Sequence, residues 1–257
     1  MSGFNDNLKN IKIKDLAIFI IASFLILYVL SRLTQGIINQ KWFYVIILFY
    51  FLFKLKNSLG DFKEDFSNVF SNIQLKYILL IVFANIFFSY GMLYLSNNLV
   101  IHFPVLKFLA GFYVPSMSLT GSLPILGIFV STVIISPIAE ELIFRGVLLN
   151  RLKLITPTLF AVLVSSLLFG ALHSFGSIIS AFVFAICMAI LYLKTENICV
   201  AILAHFLNNL FAEIIRYADY NRLIFTNDIV ISIVTILAIV SAIILATSII
   251  TELNRIK

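Results

Sequence analysis

The chain has 257 residues, 61% of them apolar and only 12% charged, with a mean hydropathy of +1.08 and a formal charge of +6. Soluble domains carry about 25% charged and 45–50% apolar residues. No water-soluble fold of this length hides so much apolar surface, so lipid must cover part of it. Nor does the positive charge point to nucleic acid: the cations lie in short stretches between apolar runs, where they set membrane orientation.

A membrane span needs about 20 mainly apolar residues, with a range of roughly 17–25. On that rule the sequence predicts an all-α polytopic transmembrane helix bundle of about eight spans. They fall near 14–33, 40–55, 77–97, 124–149, 157–175, 177–194, 197–217 and 228–250, in a single integral membrane domain over 1–257. The first run lacks a small-residue cleavage site and reads as a retained span. The second is short for a full crossing. Residues 57–76, with Asp61, Lys63, Glu64, Asp65 and Lys76, read as a surface loop or interfacial helix. Residues 98–123, apolar yet holding Pro104 and Pro115, read as a lid or re-entrant segment. Cys187 and Cys199 read as small hydrophobes, since neither C-x-x-C spacing nor a disulfide framework is present. Eight spans put both termini on one side, and that side collects twelve Lys and Arg against five. The sequence therefore predicts a multi-pass protein of the cell membrane with both termini cytoplasmic.

An ionisable group at bilayer depth costs a few kcal/mol on insertion scales, so each one needs a reason. Glu140 and Glu141 sit deep in the fourth span, in Ile-Ser-Pro-Ile-Ala-Glu-Glu-Leu-Ile-Phe-Arg-Gly. Glu141 and Arg145 are four apart in the acid-before-base order that favours an ion pair. Glu140 projects about 100° away and lacks that partner. Pro137 frees the carbonyl of Val133 and predicts a kink one turn before the acids. Phe169 and His173 are four apart in the fifth span; His205 and Asn209 are four apart in the seventh, so that both look into one groove. Asn208 points elsewhere and reads as structural. Glu213 continues the same stripe, but Arg216 offers it a partner near the span end.

These groups suit water-driven amide hydrolysis. Desolvated Glu140 is placed to act as general base toward a water that His173 shares or orients. His205 and Asn209 can donate hydrogen bonds to a developing oxyanion, and a dry site strengthens each donor. Glu141 with Arg145 would hold the helix of Glu140 in place.

Glu-Glu-x-x-x-Arg (140–145), Phe-x-x-x-His (169–173) and His-x-x-x-Asn (205–209), in order on successive helices, resemble the CPBP family of CAAX proteases and bacteriocin-processing proteins. That family is also called Abi and includes the type II CAAX prenyl endopeptidases. The resemblance covers roughly 120–215 and implies the same roles: Glu140 and His173 activate water, His205 and Asn209 form the oxyanion site, and Glu141 and Arg145 support them. It implies cleavage near the C-terminus of a prenylated C-a-a-X substrate or another membrane-associated peptide. Bacteriocin or pheromone processing, or a self-immunity protease, is the second enzymatic reading. A membrane scaffold, or a transporter with a buried polar relay, is the reading from another class, although no inverted repeat is visible. Two His and a Glu match a catalytic zinc set in residue type. With no His-Glu-x-x-His pair, and with the resemblance favouring a metal-free glutamate mechanism, no cofactor is expected. The partners expected are substrate peptide and lipid bilayer, not nucleic acid.

Overall fold

The computed structural model describes residues 3–38, 42–72, 75–103, 125–219 and 221–256. Every regular element among them is helical: α1 (Gly3–Asn10), α2 (Ile13–Leu33), α3 (Phe43–Leu55), α4 (Leu59–Asn72), α5 (Leu75–His102), α6 (125–152), α7 (Thr158–Ala171), α8 (Ile178–Thr195), α9 (Ile198–Ala218), a single-turn α10 (Leu223–Thr226) and α11 (Asp228–Ile256). Six helices among the described residues are long and apolar enough to cross a bilayer: Ile13–Leu33, Phe43–Val69, Leu75–Val100, Phe175–Thr195, Ile198–Ala218 and Asp228–Arg255. The protein is a multi-pass α-helical membrane protein. Its outer helices show why lipid is needed: Ile21 and Leu25 on α2 and Ile236 and Ile243 on α11 are each about 60% exposed, an apolar surface that water would not tolerate.

Two of the eight expected spans take another form. The fourth is α6, a helical run interrupted by two wide turns. The fifth, α7, has only 14 residues, about 21 Å of helix against roughly 30 Å of hydrocarbon. The stretch expected at 57–76 is largely the helix α4. Of the proposed lid, α5 takes the part up to His102, and 104–124 lies outside the described residues.

The chain groups into two compact units. The first holds 1–73, 117–156 and 192–206. Here α1 packs its Leu8 side chain onto Gly146 of α6, where an added Cβ would lie 3.1 Å from Leu8 Cδ2. Fully buried Asn5 donates to Asp65 Oδ2 at 2.8 Å and accepts the backbone N–H of Ile198 at 3.2 Å. One side chain of α1 thereby ties α4 to the first turn of α9, where backbone donors lack helical partners. Arg151 Nε donates to the Ile11 carbonyl at 2.8 Å.

The second unit holds 74–116, 157–191 and 207–257. Its frame is α5 against α11, with Gly91 packed directly on Ala238 and the hydroxyls of Tyr77 and Ser248 2.7 Å apart. Helices α7 and α8 form a hairpin closed at Gly170. A Cβ there would lie 2.9 Å from the Ile178 carbonyl oxygen and 3.0 Å from Phe182 Cβ. Only glycine lets the two backbones approach so closely.

Candidate active site

The acids stand on the one regular stretch of α6. Ser131–Ile135 and Leu142–Leu149 are wound wider than an α-helix, and Ser136–Glu141 between them is α-helical with Pro137 near its start. A proline inside a helix removes a donor and crowds the preceding turn. The first wide turn absorbs that demand, the N–H of Ser136 reaching back to the Ser131 carbonyl, so the helix widens where a kink was expected. The second is braced by Asn150, whose Nδ2 contacts the carbonyls of Arg145 and Gly146 at 3.1 and 2.9 Å and the Tyr192 hydroxyl at 2.8 Å.

Four charged or titratable groups that cluster in this first unit are buried: Glu140 is 8%, Glu141 0%, Arg145 2% and His205 3% exposed. Arg145 Nη1 donates to Glu141 Oε1 at 2.9 Å, as the spacing predicts. The same oxygen accepts a second bond, from His205 Nδ1 at 2.8 Å. Glu141 therefore holds the imidazole as well as the guanidinium, a link sequence reasoning did not find. Its Oε2 has no hydrogen-bond partner among the described residues. His205 Nε2 lies 3.9 Å from Glu140 Oε2, beyond hydrogen-bond range. Adjacent carboxylates thus address the two nitrogens of one ring.

Glu140 has partners of its own. Ser136 Oγ donates to its Oε1 at 2.5 Å from one turn earlier. The hydroxyl of half-buried Tyr44, on α3, hydrogen-bonds with Glu140 and with Ser136. Sequence reasoning passed over both. Ser136 stands four residues before Glu140, a signal that was available; Tyr44 lies in the N-terminal region and carries none.

The remaining expected residues belong to the second unit. His173 is not inside a helix as expected: α7 ends at Ala171, and His173 sits half-buried in the following turn. Its Nδ1–H donates to the Phe169 carbonyl at 2.9 Å, and its ring lies 4.7 Å from that of Phe169, centroid to centroid. A carbonyl only accepts, so the neutral ring carries its lone pair on Nε2. Asn209 accepts at Oδ1 from Asn208 Nδ2 at 3.2 Å, and Asn208 accepts from Asn85 Nδ2 at 2.9 Å. Glu213 is taken by Arg216, at 2.6 and 2.8 Å. Cys187 and Cys199 are buried and unbridged. No group of three His, Cys, Asp or Glu among the described residues is spaced to hold a metal.

A family model described as type II CAAX prenyl endopeptidase Rce1-like matches residues 121–211. The chain is also 36% identical over 84 residues to "Putative membrane peptidase YdiL" of Bacillus subtilis (strain 168), an overlap of 32% of this chain and 34% of that protein. Both matches support the CPBP family. The chain thus aligns with about a third of the length of that curated relative, and no solved structure matches it. The CPBP-like stretch holds Glu140, Glu141, Arg145, His173, His205 and Asn209, while Tyr44 and Asn85 lie outside it.

Proposed function

We propose that the chain is an intramembrane endopeptidase of the CAAX type, in which Glu140 takes a proton from the water that attacks the scissile carbonyl. The observation that carries this reading is the buried cluster of Glu140, Glu141, Arg145 and His205. Such a charged cluster is costly in a membrane helix and is kept where it is used. Arg145 faces Glu141, and the same carboxylate oxygen takes the His205 hydrogen bond, so the buried acid is compensated within the cluster.

The hydrogen bonds support this division of roles. His205 gives its Nδ1–H to Glu141, so in this reading it donates from Nε2 as the imidazolium. As imidazolium it stabilises the oxyanion, together with the Asn209 amide. His173, with its lone pair on Nε2, accepts a hydrogen bond from the attacking water and orients it. As the intermediate collapses, the C–N bond breaks, and the proton held by Glu140 passes to the leaving amine.

The substrate in this reading is a prenylated C-a-a-X peptide or another membrane-associated peptide. Support comes from an apolar cavity of about 240 Å³ in the first unit, lined among others by Leu48, Phe51, Leu52, Ile138 and Leu142, which offers room for a lipid chain beside α6. In this reading both termini lie in the cytoplasm of a cell whose plasma membrane houses the protein, an orientation that the cation bias supports.

The test is cleavage of a fluorogenic farnesylated C-a-a-X peptide by purified protein in detergent, comparing wild type with Glu140→Ala and His173→Ala. Both variants should lose cleavage; full activity in Glu140→Ala would overturn the mechanism. A chelator in the same assay should change nothing, and loss of activity restored by zinc would refute a metal-free reaction. An unprenylated peptide cut equally well would redirect the search toward other membrane peptides.

A further inference from the structure

We infer that Asn85 and Asn208 are positioning residues that fix which edge of the Asn209 carboxamide is offered to the substrate. The inference rests on the reading of Asn209 as a donor to the scissile carbonyl oxygen. Asn85 stands on the bilayer-length helix α5 and is only 4% exposed. Its Nδ2 donates to Asn208 Oδ1 at 2.9 Å, and Asn208 Nδ2 donates to Asn209 Oδ1 at 3.2 Å. Three carboxamides therefore stand in a single donor-to-acceptor series with one polarity.

A carboxamide has an accepting edge and a donating edge. With its oxygen held by Asn208, Asn209 turns its NH₂ edge away from the series, and that edge is the one an oxyanion requires. The opposite polarity would present Asn209 Oδ1 to a carbonyl oxygen, acceptor against acceptor. Low surrounding polarity stiffens such a series, because each bond polarises the next. A contact that merely glued α5 to α9 would equally join Asn85 to Asn208, but its loss would leave the turnover of the folded enzyme intact.

Two variants of the full chain separate these cases, assayed with the farnesylated peptide. In Asn208→Asp the side chain still accepts from Asn85 but has no proton to give Asn209. Asn85→Leu removes the outer donor and keeps the branched four-atom shape; it also removes Asn85 Oδ1, which has no partner among the described residues, so folding should survive. Both should lower kcat about tenfold, less than deletion of an oxyanion donor outright, with KM unchanged within twofold. Folded variants with wild-type kcat would overturn the inference.

A second readout does not depend on cleavage. In protein labelled with ¹⁵N-asparagine, the side-chain amide resonance of Asn209, assigned with Asn209→Asp, should shift in both variants. An unmoved resonance refutes the series even if the enzyme is active. A shifted resonance in a protein that cuts no peptide sustains the series and sinks the peptidase reading instead.

Discussion

The acidic cluster on α6 and the amide series between α5 and α9 are both polar islands in apolar helices, held in opposite ways. In the cluster, formal charges find partners largely close by in sequence: Ser136 with Glu140 and Glu141 with Arg145. The long-range additions are His205 on Glu141 and Tyr44 on Glu140. In the amide series no carboxylate or guanidinium takes part: Asn208 reaches its neighbour Asn209 and Asn85 from 123 residues away, while His173 leans on the Phe169 carbonyl. Charge in a membrane demands compensation within the same turns of helix, whereas neutral donors can draw on whatever helix packs beside them.

The largest expected effect tests the first side of that contrast. Glu140→Gln, which keeps shape and removes the base, should lower kcat/KM by about a thousandfold with the fold intact, as loss of a general base does. Next, Arg145→Ala should destabilise the protein by roughly 3–5 kcal/mol by stranding the Glu141 carboxylate in the interior. Thermal unfolding in detergent would show it, and adding Glu141→Gln should restore much of the loss. If Arg145→Ala were silent, the cluster would not be held by charge pairing.

The second side is tested at Gly170. Gly170→Ala should cost about 1–3 kcal/mol by forcing α7 from α8, and activity should fall beyond the loss of folded protein, because the turn bearing His173 moves. The smallest effect is expected at Tyr44. Tyr44→Phe keeps the ring and removes one hydrogen bond to a carboxylate, so kcat should drop about tenfold with stability nearly unchanged. A wild-type rate in Tyr44→Phe would take Tyr44 out of the working parts.

The same contrast explains what was legible in the sequence. Long apolar runs gave the helices, and the spacing of Glu141 and Arg145 gave their ion pair, because one helix turn suffices to bring them together. The spacing of Phe169 and His173 identified the pair but not its setting: Gly170 and the turn after Ala171 end the helix early, and apolar periodicity carries no sign of that. The hold of Glu141 on His205, of Tyr44 on Glu140 and of Asn85 on Asn208 all depend on tertiary packing. A single sequence does not encode those neighbours in any local spacing.

The carboxamide of Asn5 has a practical consequence. Helix α9, which bears His205, starts at Ile198 on an acceptor lent by α1. Trimming the chain through Asn10, or grafting on a purification handle that pulls this segment aside, would let that start fray. An assay of such a preparation would register damaged chemistry where only an anchor had been cut. Affinity tags are better carried behind α11.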